Sequence, residues 1–75
     1  MTQEEFLQLF AAQFDETPIE QFSLDVAFKT LDEWSSLAAL SIISMVDEEF
    51  DKQITGADLR SVNTIKELYD LIQNK

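Results

Sequence analysis

The chain has 75 residues, with 15 acids against 5 bases for a formal net charge of −10, and it contains neither cysteine nor histidine. That length allows one small domain whose core is worth only ~3–5 kcal/mol net, so most apolar side chains are needed simply to fold it. Disulfides, thiolate zinc sites, a thiol nucleophile and the usual neutral-pH general base are all excluded by composition, and the charge opposes binding to nucleic acid or to anionic membrane surfaces.

The opening stretch MTQEEFLQLF places acids where a signal peptide needs bases. With no apolar run long enough to span a bilayer, a soluble cytoplasmic protein without membrane or nucleic-acid partners is the expectation. One Gly and one Pro leave few turn signals, and apolar residues recur at helical spacing, so the expected class is all-α. A first helix opens at Thr2, where Thr2-Gln3-Glu4-Glu5 has the form of a capping box. It carries Phe6, Leu7, Phe10 and Phe14 along one face and is expected to end near Asp15 or Glu16.

Residues 15–34 hold Ile19, Phe22, Leu24, Val26, Phe28, Leu31 and Trp34, too apolar a set for a disordered linker. A loop packed onto the helices is expected, with one short helical turn around Ile19 to Phe22. Thr30-Leu31-Asp32-Glu33 also has the capping-box form, but this form is common by chance and is not taken as a helix start. Trp34, next to a helix start, is read as a lid over the core rather than a ligand platform.

The second helix is expected from Ser36 to Phe50. At 100° per residue, Ala39, Ile42, Ile43, Val46 and Phe50 form its core stripe, while Leu37, Leu40, Ser41, Ser44, Asp47 and Glu48 fall on the opposite arc. Two outward leucines beside a helix start, with acids further along, have the pattern of a partner face: apolar contact for affinity and carboxylates for orientation. Coverage of both leucines by the long loop is the competing reading. Ser35 and Ser36 both stand at the N-terminal edge, where a serine caps orphan N–H groups and the helix dipole favours an anion. Local chemistry does not choose between the two.

A short third helix is signalled by Thr55-Gly56-Ala57-Asp58 and a fourth by the capping-box form Thr64-Ile65-Lys66-Glu67, followed by Leu68, Tyr69 and Ile72. The acids around Asp51 echo a calcium loop. Counted from Asp47, however, Lys52 occupies the position that requires Gly and Asp58 replaces the bidentate Glu, so no metal site is expected. The pairs Asp32-Glu33 and Glu48-Glu49 are read as solvated surface rather than hydrolytic carboxylates, because neighbouring residues on a helix point in different directions.

The segment DEWSSLAALSIISMVDEEF, Asp32 to Phe50, resembles the acyl carrier and peptidyl carrier protein family. Members of that family carry Asp-Ser-Leu at the start of the second helix and end it with an acidic segment whose Phe lies fourteen residues after the modified serine. Counting back fourteen residues from Phe50 reaches Ser36, followed by Leu37. Ile54 and the run Val62-Asn63-Thr64-Ile65 also fall on the family's pattern without a gap, and Phe28 and Trp34 fit members whose loop reads Glu-Trp-Asp-Ser-Leu. The resemblance implies a four-helix bundle of the acyl-carrier type with a long first loop and a short third helix, spanning residues 1–75 as one carrier domain.

It also implies a function. A separate phosphopantetheinyl transferase, with Mg²⁺, would join phosphopantetheine to the Ser36 hydroxyl, and the arm's thiol would then carry acyl or aminoacyl groups as thioesters. Loading, elongating and transferring enzymes with basic patches would dock on Leu37, Leu40, Ser41, Asp47 and Glu48, with Met45 on the flank and Val62 near the attachment site. The chain would be a monomeric carrier rather than an enzyme, in fatty acid, polyketide or peptide biosynthesis. Ser35 stands where the family has Asp, and Ala38, Ala39 and Ser41 replace positions of which one or more is usually acidic, which points to a dedicated transferase and dedicated partners. The alternative is a small acidic helical adaptor that binds basic partners through the second helix without a prosthetic group.

Overall fold

The computed structural model describes residues 2–75. Among these, four α-helices follow in the order α1 (Gln3–Ala11), α2 (Ser36–Phe50), α3 (Gly56–Ser61) and α4 (Ile65–Gln73), with 3-10 turns at Ile19–Gln21 and Phe28–Thr30 in the connection between α1 and α2. α1 packs on α2 and α4, and α2 packs on α3. The all-α bundle with a long first loop and a short third helix is as expected.

Helix starts are set by local chemistry. Thr2 with Glu5, Thr55 with Asp58 and Thr64 with Glu67 form reciprocal capping boxes, in which the Thr hydroxyl accepts the N3 N–H and the acid accepts the cap's own N–H. The Thr30 form starts no helix. The acid that would close its box, Glu33, reaches instead to the other side of the loop, accepting the Glu16 N–H at 3.0 Å and the Thr17 hydroxyl.

α1 ends at Ala11, about four residues short of the expected Asp15 or Glu16. The N–H groups of Gln13 and Phe14 bond to the carbonyls three residues back, at Phe10 and Ala11, so the chain tightens out of the α-helix while keeping Phe14 buried. Helical periodicity extends through this turn, because a 3-10 continuation still points Phe14 inward. α2 ends at Asp51, whose φ of 54° and ψ of 39° put it in the left-handed region while its N–H bonds to Asp47 O. Aspartate is among the few non-glycine residues that tolerate this conformation.

The core is built from aromatic rings. Phe10 contacts Phe14, Phe22 and Phe28 at centroid distances of 5.6, 6.1 and 5.4 Å, and Phe6 contacts Phe50 and Tyr69 at 5.6 and 5.5 Å. Ala11, Ile42, Met45, Val46, Ile54, Leu59, Val62, Ile65, Leu68 and Ile72 complete it. Residues of the long loop thus belong to the core, as their composition implied. Its backbone is also tied to the last helix: the N–H groups of Ile65 and Lys66 donate to Val26 O and Leu24 O, and Ala27 forms an isolated antiparallel bridge with Thr64.

Lys52 and Asp58, which spoil the calcium-loop pattern, have structural roles. Lys52 donates to Ile72 O at 3.0 Å, and Asp58 closes the α3 capping box and pairs with Lys75 at 3.0 Å. Among the described residues, no group of three or more acids is placed to hold a metal ion, and no helix is long and apolar enough to cross a membrane.

Candidate functional site

The two serines at the start of α2 differ in structure although they are adjacent in sequence. Ser35 is the N-cap: its backbone is extended, with φ −154° and ψ 177°, and its Oγ accepts the Ala38 N–H at 3.3 Å. Ser36 is the first helical residue, exposed, and its hydroxyl makes no hydrogen bond among the described residues. One serine is committed to the fold; the other has a free, solvent-facing hydroxyl.

The position of this pair is fixed from below by Trp34. Its ring lies over Phe28 at 5.0 Å, edge to face, and stacks with Phe14 at 6.4 Å, so the residue before the cap is clamped between the end of α1 and the loop. Trp34 is therefore a lid on the core. Through Glu33 the same short segment holds the turn at Glu16 and Thr17. The Thr17 hydroxyl is the main reason the Glu33 carboxyl is held below the ordinary carboxylate range. Glu33 is thus a structural hook, not the simple solvated surface expected of the Asp32-Glu33 pair.

The first turn of α2 contains no acid, whereas α1, α3 and α4 each have at least one there. The N–H groups of Ser36 and Leu37 at the positive end of a 15-residue helix are not countered by a local carboxylate. An anionic group attached at the Ser36 hydroxyl is electrostatically favoured there, and a phosphodiester meets that description.

Leu37 and Leu40 are 76% and 60% exposed, the largest exposures among the bulky apolar side chains of the described residues, so the long loop does not cover them. Ser41 is half-buried beside them, and Asp47 and Glu48 are exposed toward the far end of the helix. Met45 is expected on the flank of α2 and Val62 near the attachment site, and neither side chain is exposed. They are buried in the core, at 5% and 9% exposure, because α1 packs over the side of α2 that carries Met45 and because Val62 closes α3 against the bundle. Met45 still forms part of the floor of a surface groove of about 580 Å³ between α1 and α2, whose walls include Leu37, Leu40 and Glu48 on one side and Leu9 and Gln13 on the other. The α1 wall was not legible from periodicity, which ranks residues around one helix but does not say which helix stands beside them.

The family-pattern positions fall into two kinds. Phe28, Ile54, Val62 and Ile65 are buried, and Phe50 packs on Phe6, so these preserve the bundle. Ser36 and Leu37 are exposed and do not.

No curated protein and no solved structure matches the chain. A family model described as the phosphopantetheine attachment site matches residues 4–72, nearly the whole length. The chain belongs to this family of carrier domains, whose members bear phosphopantetheine covalently on a serine.

Proposed function

We propose that Ser36 is the attachment serine and that the chain presents acyl or aminoacyl intermediates to partner enzymes without itself catalysing a reaction. The observation that carries this reading is the division of labour at the helix start: the Ser35 hydroxyl is used as the cap, while the Ser36 hydroxyl is exposed and unbonded, one residue before an exposed leucine. The residues around Ser36 fit the group. A phosphodiester there would meet the N-terminal N–H groups with no carboxylate in the first turn, and the open surface leaves room for a flexible arm.

When bound, the arm supplies a thiol that holds the cargo as a thioester. The chain supplies the rest. Ser36 offers the hydroxyl, Ser35 and the Trp34 clamp hold it at the helix start, and Leu37, Leu40, Ser41, Asp47 and Glu48 form the surface that a partner meets. A partner surface that pairs an apolar patch with basic side chains is complementary to this face, and acids in place of bases would repel. A single copy suits a domain that visits several enzymes in turn, in a soluble, cytoplasmic setting.

The test is incubation with coenzyme A, Mg²⁺ and a broad-specificity phosphopantetheinyl transferase, followed by intact mass. The expected result is a gain of one phosphopantetheine that vanishes in Ser36→Ala. Ser35→Asp, which keeps a good N-cap and restores the family's residue, should raise the rate with the broad-specificity enzyme. No gain with any transferase, in the wild type or in Ser35→Asp, would favour the adaptor without a prosthetic group.

A further inference from the structure

Three consecutive residues ahead of Ser36 are each fastened at a different point. Ser35 caps α2 through the Ala38 N–H at 3.3 Å, and the Trp34 ring lies against Phe14 and Phe28. Glu33 crosses to the turn that follows α1, where its carboxylate accepts the Glu16 N–H at 3.0 Å and the Thr17 hydroxyl. That hydroxyl is the first cause of the lowered carboxyl pKa; desolvation opposes it, and the backbone at Glu16, Thr17 and Asp15 lowers the value further. Several donors of one turn converge on a single carboxylate, and hydrogen bonds to an ionised acceptor are the strong ones.

Among the described residues, backbone bonds do not make this connection. The Leu31 N–H donates to Phe28 O and the Trp34 N–H to Leu31 O, at 3.2 and 3.0 Å, and both stay within the segment. The link to the end of α1 is made by side chains: a ring on Phe14 and a carboxylate on Glu16 and Thr17. One contact fixes a distance and leaves the segment free to swivel about it. Two contacts, from adjacent residues to separate points, also fix its direction. That direction decides where the Ser36 hydroxyl faces, because Ser36 follows the cap immediately. The hook borders a depression of about 210 Å³ with Pro18, Gln21 and Asp32, so water reaches it and it opens without exposing the aromatic core.

We propose that Glu33 is a positioning residue for the attachment reaction: by holding residues 33–35 against the turn at Glu16 and Thr17, it keeps the Ser36 hydroxyl facing the way a transferase needs it. The inference rests on the carrier reading and adds to it a residue that touches neither coenzyme A nor the transferred group. In the transfer, the Ser36 oxygen bonds to a phosphorus of the coenzyme A pyrophosphate as the bond to the adenosine bisphosphate leaving group breaks, and the hydroxyl proton passes to the transferase. Such a displacement is sensitive to the direction of approach. With the hook released, the segment samples other directions, and only the competent fraction is bound. Apparent affinity falls by that fraction, while the step after binding is unaffected.

Two variants remove the hook from opposite sides. Glu33→Gln takes the charge, and Thr17→Val takes the hydroxyl while keeping the shape of the side chain. Glu20→Gln, which removes a charge from the same loop outside the hook, is the control and should match the wild type. Amide hydrogen exchange of the unmodified full-length protein reads local opening. The Ala38 and Ala39 N–H groups bond to the Ser35 hydroxyl and carbonyl at 3.3 and 2.9 Å. They should exchange about three- to tenfold faster in both variants, while the N–H of Val46, buried further along α2, stays within about twofold. Transferase kinetics at saturating coenzyme A should show KM for the carrier raised about three- to tenfold with kcat within about twofold. Thr17→Ser should restore wild-type behaviour, and the double variant should be no worse than the worse single one.

Unchanged exchange at Ala38 and Ala39 would overturn the proposal. So would equal acceleration at Val46, which would reduce the hook to global stability. A KM that rises only in Glu33→Gln and recovers at high salt would also overturn it, because the carboxylate would then meet the transferase as a charge. A wild type modified on Ser36, with KM unchanged in both variants, removes only this proposal. A wild type that no transferase modifies removes the carrier reading, and the proposal with it.

Discussion

The loop from Ala12 to Ser35 and the outward face of α2 invert the ordinary relation between regular structure and burial. The loop has little regular structure, yet Phe14, Phe22 and Phe28 are buried and Trp34 is packed on two rings. α2 is the longest and most regular element, yet it leaves Leu37 and Leu40 mostly in water. Apolar side chains are therefore spent in two ways. Those of the loop hold a small core together, and those at the start of α2 contribute little to the fold and remain available to another molecule.

The largest expected effect breaks the loop side of this comparison. Phe28→Ala should cost about 3–5 kcal/mol, comparable with the whole net stability of a domain of this size, so loss of the cooperative thermal transition is expected. Leu37→Ala and Leu40→Ala should shift stability by no more than about 0.5 kcal/mol, because the side chains are already exposed. A cooperative transition retained by Phe28→Ala, or lost in Leu37→Ala, would erase the distinction.

A second prediction sharpens the helix side. Asp47→Lys with Glu48→Lys reverses the sign of the acidic end without touching the core. It should slow reactions with basic partner enzymes most at low ionic strength, by about tenfold or more, with the difference shrinking as salt is raised. Rates that match the wild type at low salt would remove the carboxylates from docking.

The smallest effect concerns pH. Glu33 is held below its ordinary value near 4.5 chiefly by the Thr17 hydroxyl, and Glu67 by the backbone at Thr64 and Asn63. A carboxyl whose folded value is depressed binds fewer protons when folded than when unfolded. Its contribution is present in full above the unfolded value and is lost as pH falls below about 4.5 through the lower folded value. Thermal stability should therefore decline from pH 5 toward pH 3, and Glu33→Gln should flatten part of that decline, as followed by melting at each pH. An unchanged slope would mean that the Glu33 hook does not add to stability.

Much of this was legible in the sequence, because it depends on short-range rules. Three capping boxes mark three helix starts, and the fourteen-residue interval from Ser36 to Phe50 spans α2 in full. What was not legible depends on contacts between distant segments. The early end of α1 follows from turn bonds at Gln13 and Phe14 that keep the helical pattern of burial. Thr30 starts no helix despite its capping-box form, and the destination of Glu33, 17 residues back at Glu16, has no local signal. Met45 and Val62 illustrate the same limit. Their burial depends on where α1 and α3 lie, whereas the sequence puts Met45 on the flank of α2 by its angle and Val62 near the attachment site by family resemblance.

The most direct measurement crosses the two serines on two axes, stability and modification. Ser35→Ala should lower stability by about 0.5–2 kcal/mol through loss of the cap and still gain one phosphopantetheine. Ser36→Ala should melt within about 0.5 kcal/mol of the wild type and gain nothing. A mass gain that persists in Ser36→Ala, or that disappears only in Ser35→Ala, would contradict the assignment of the cap to one serine and the attachment to the other.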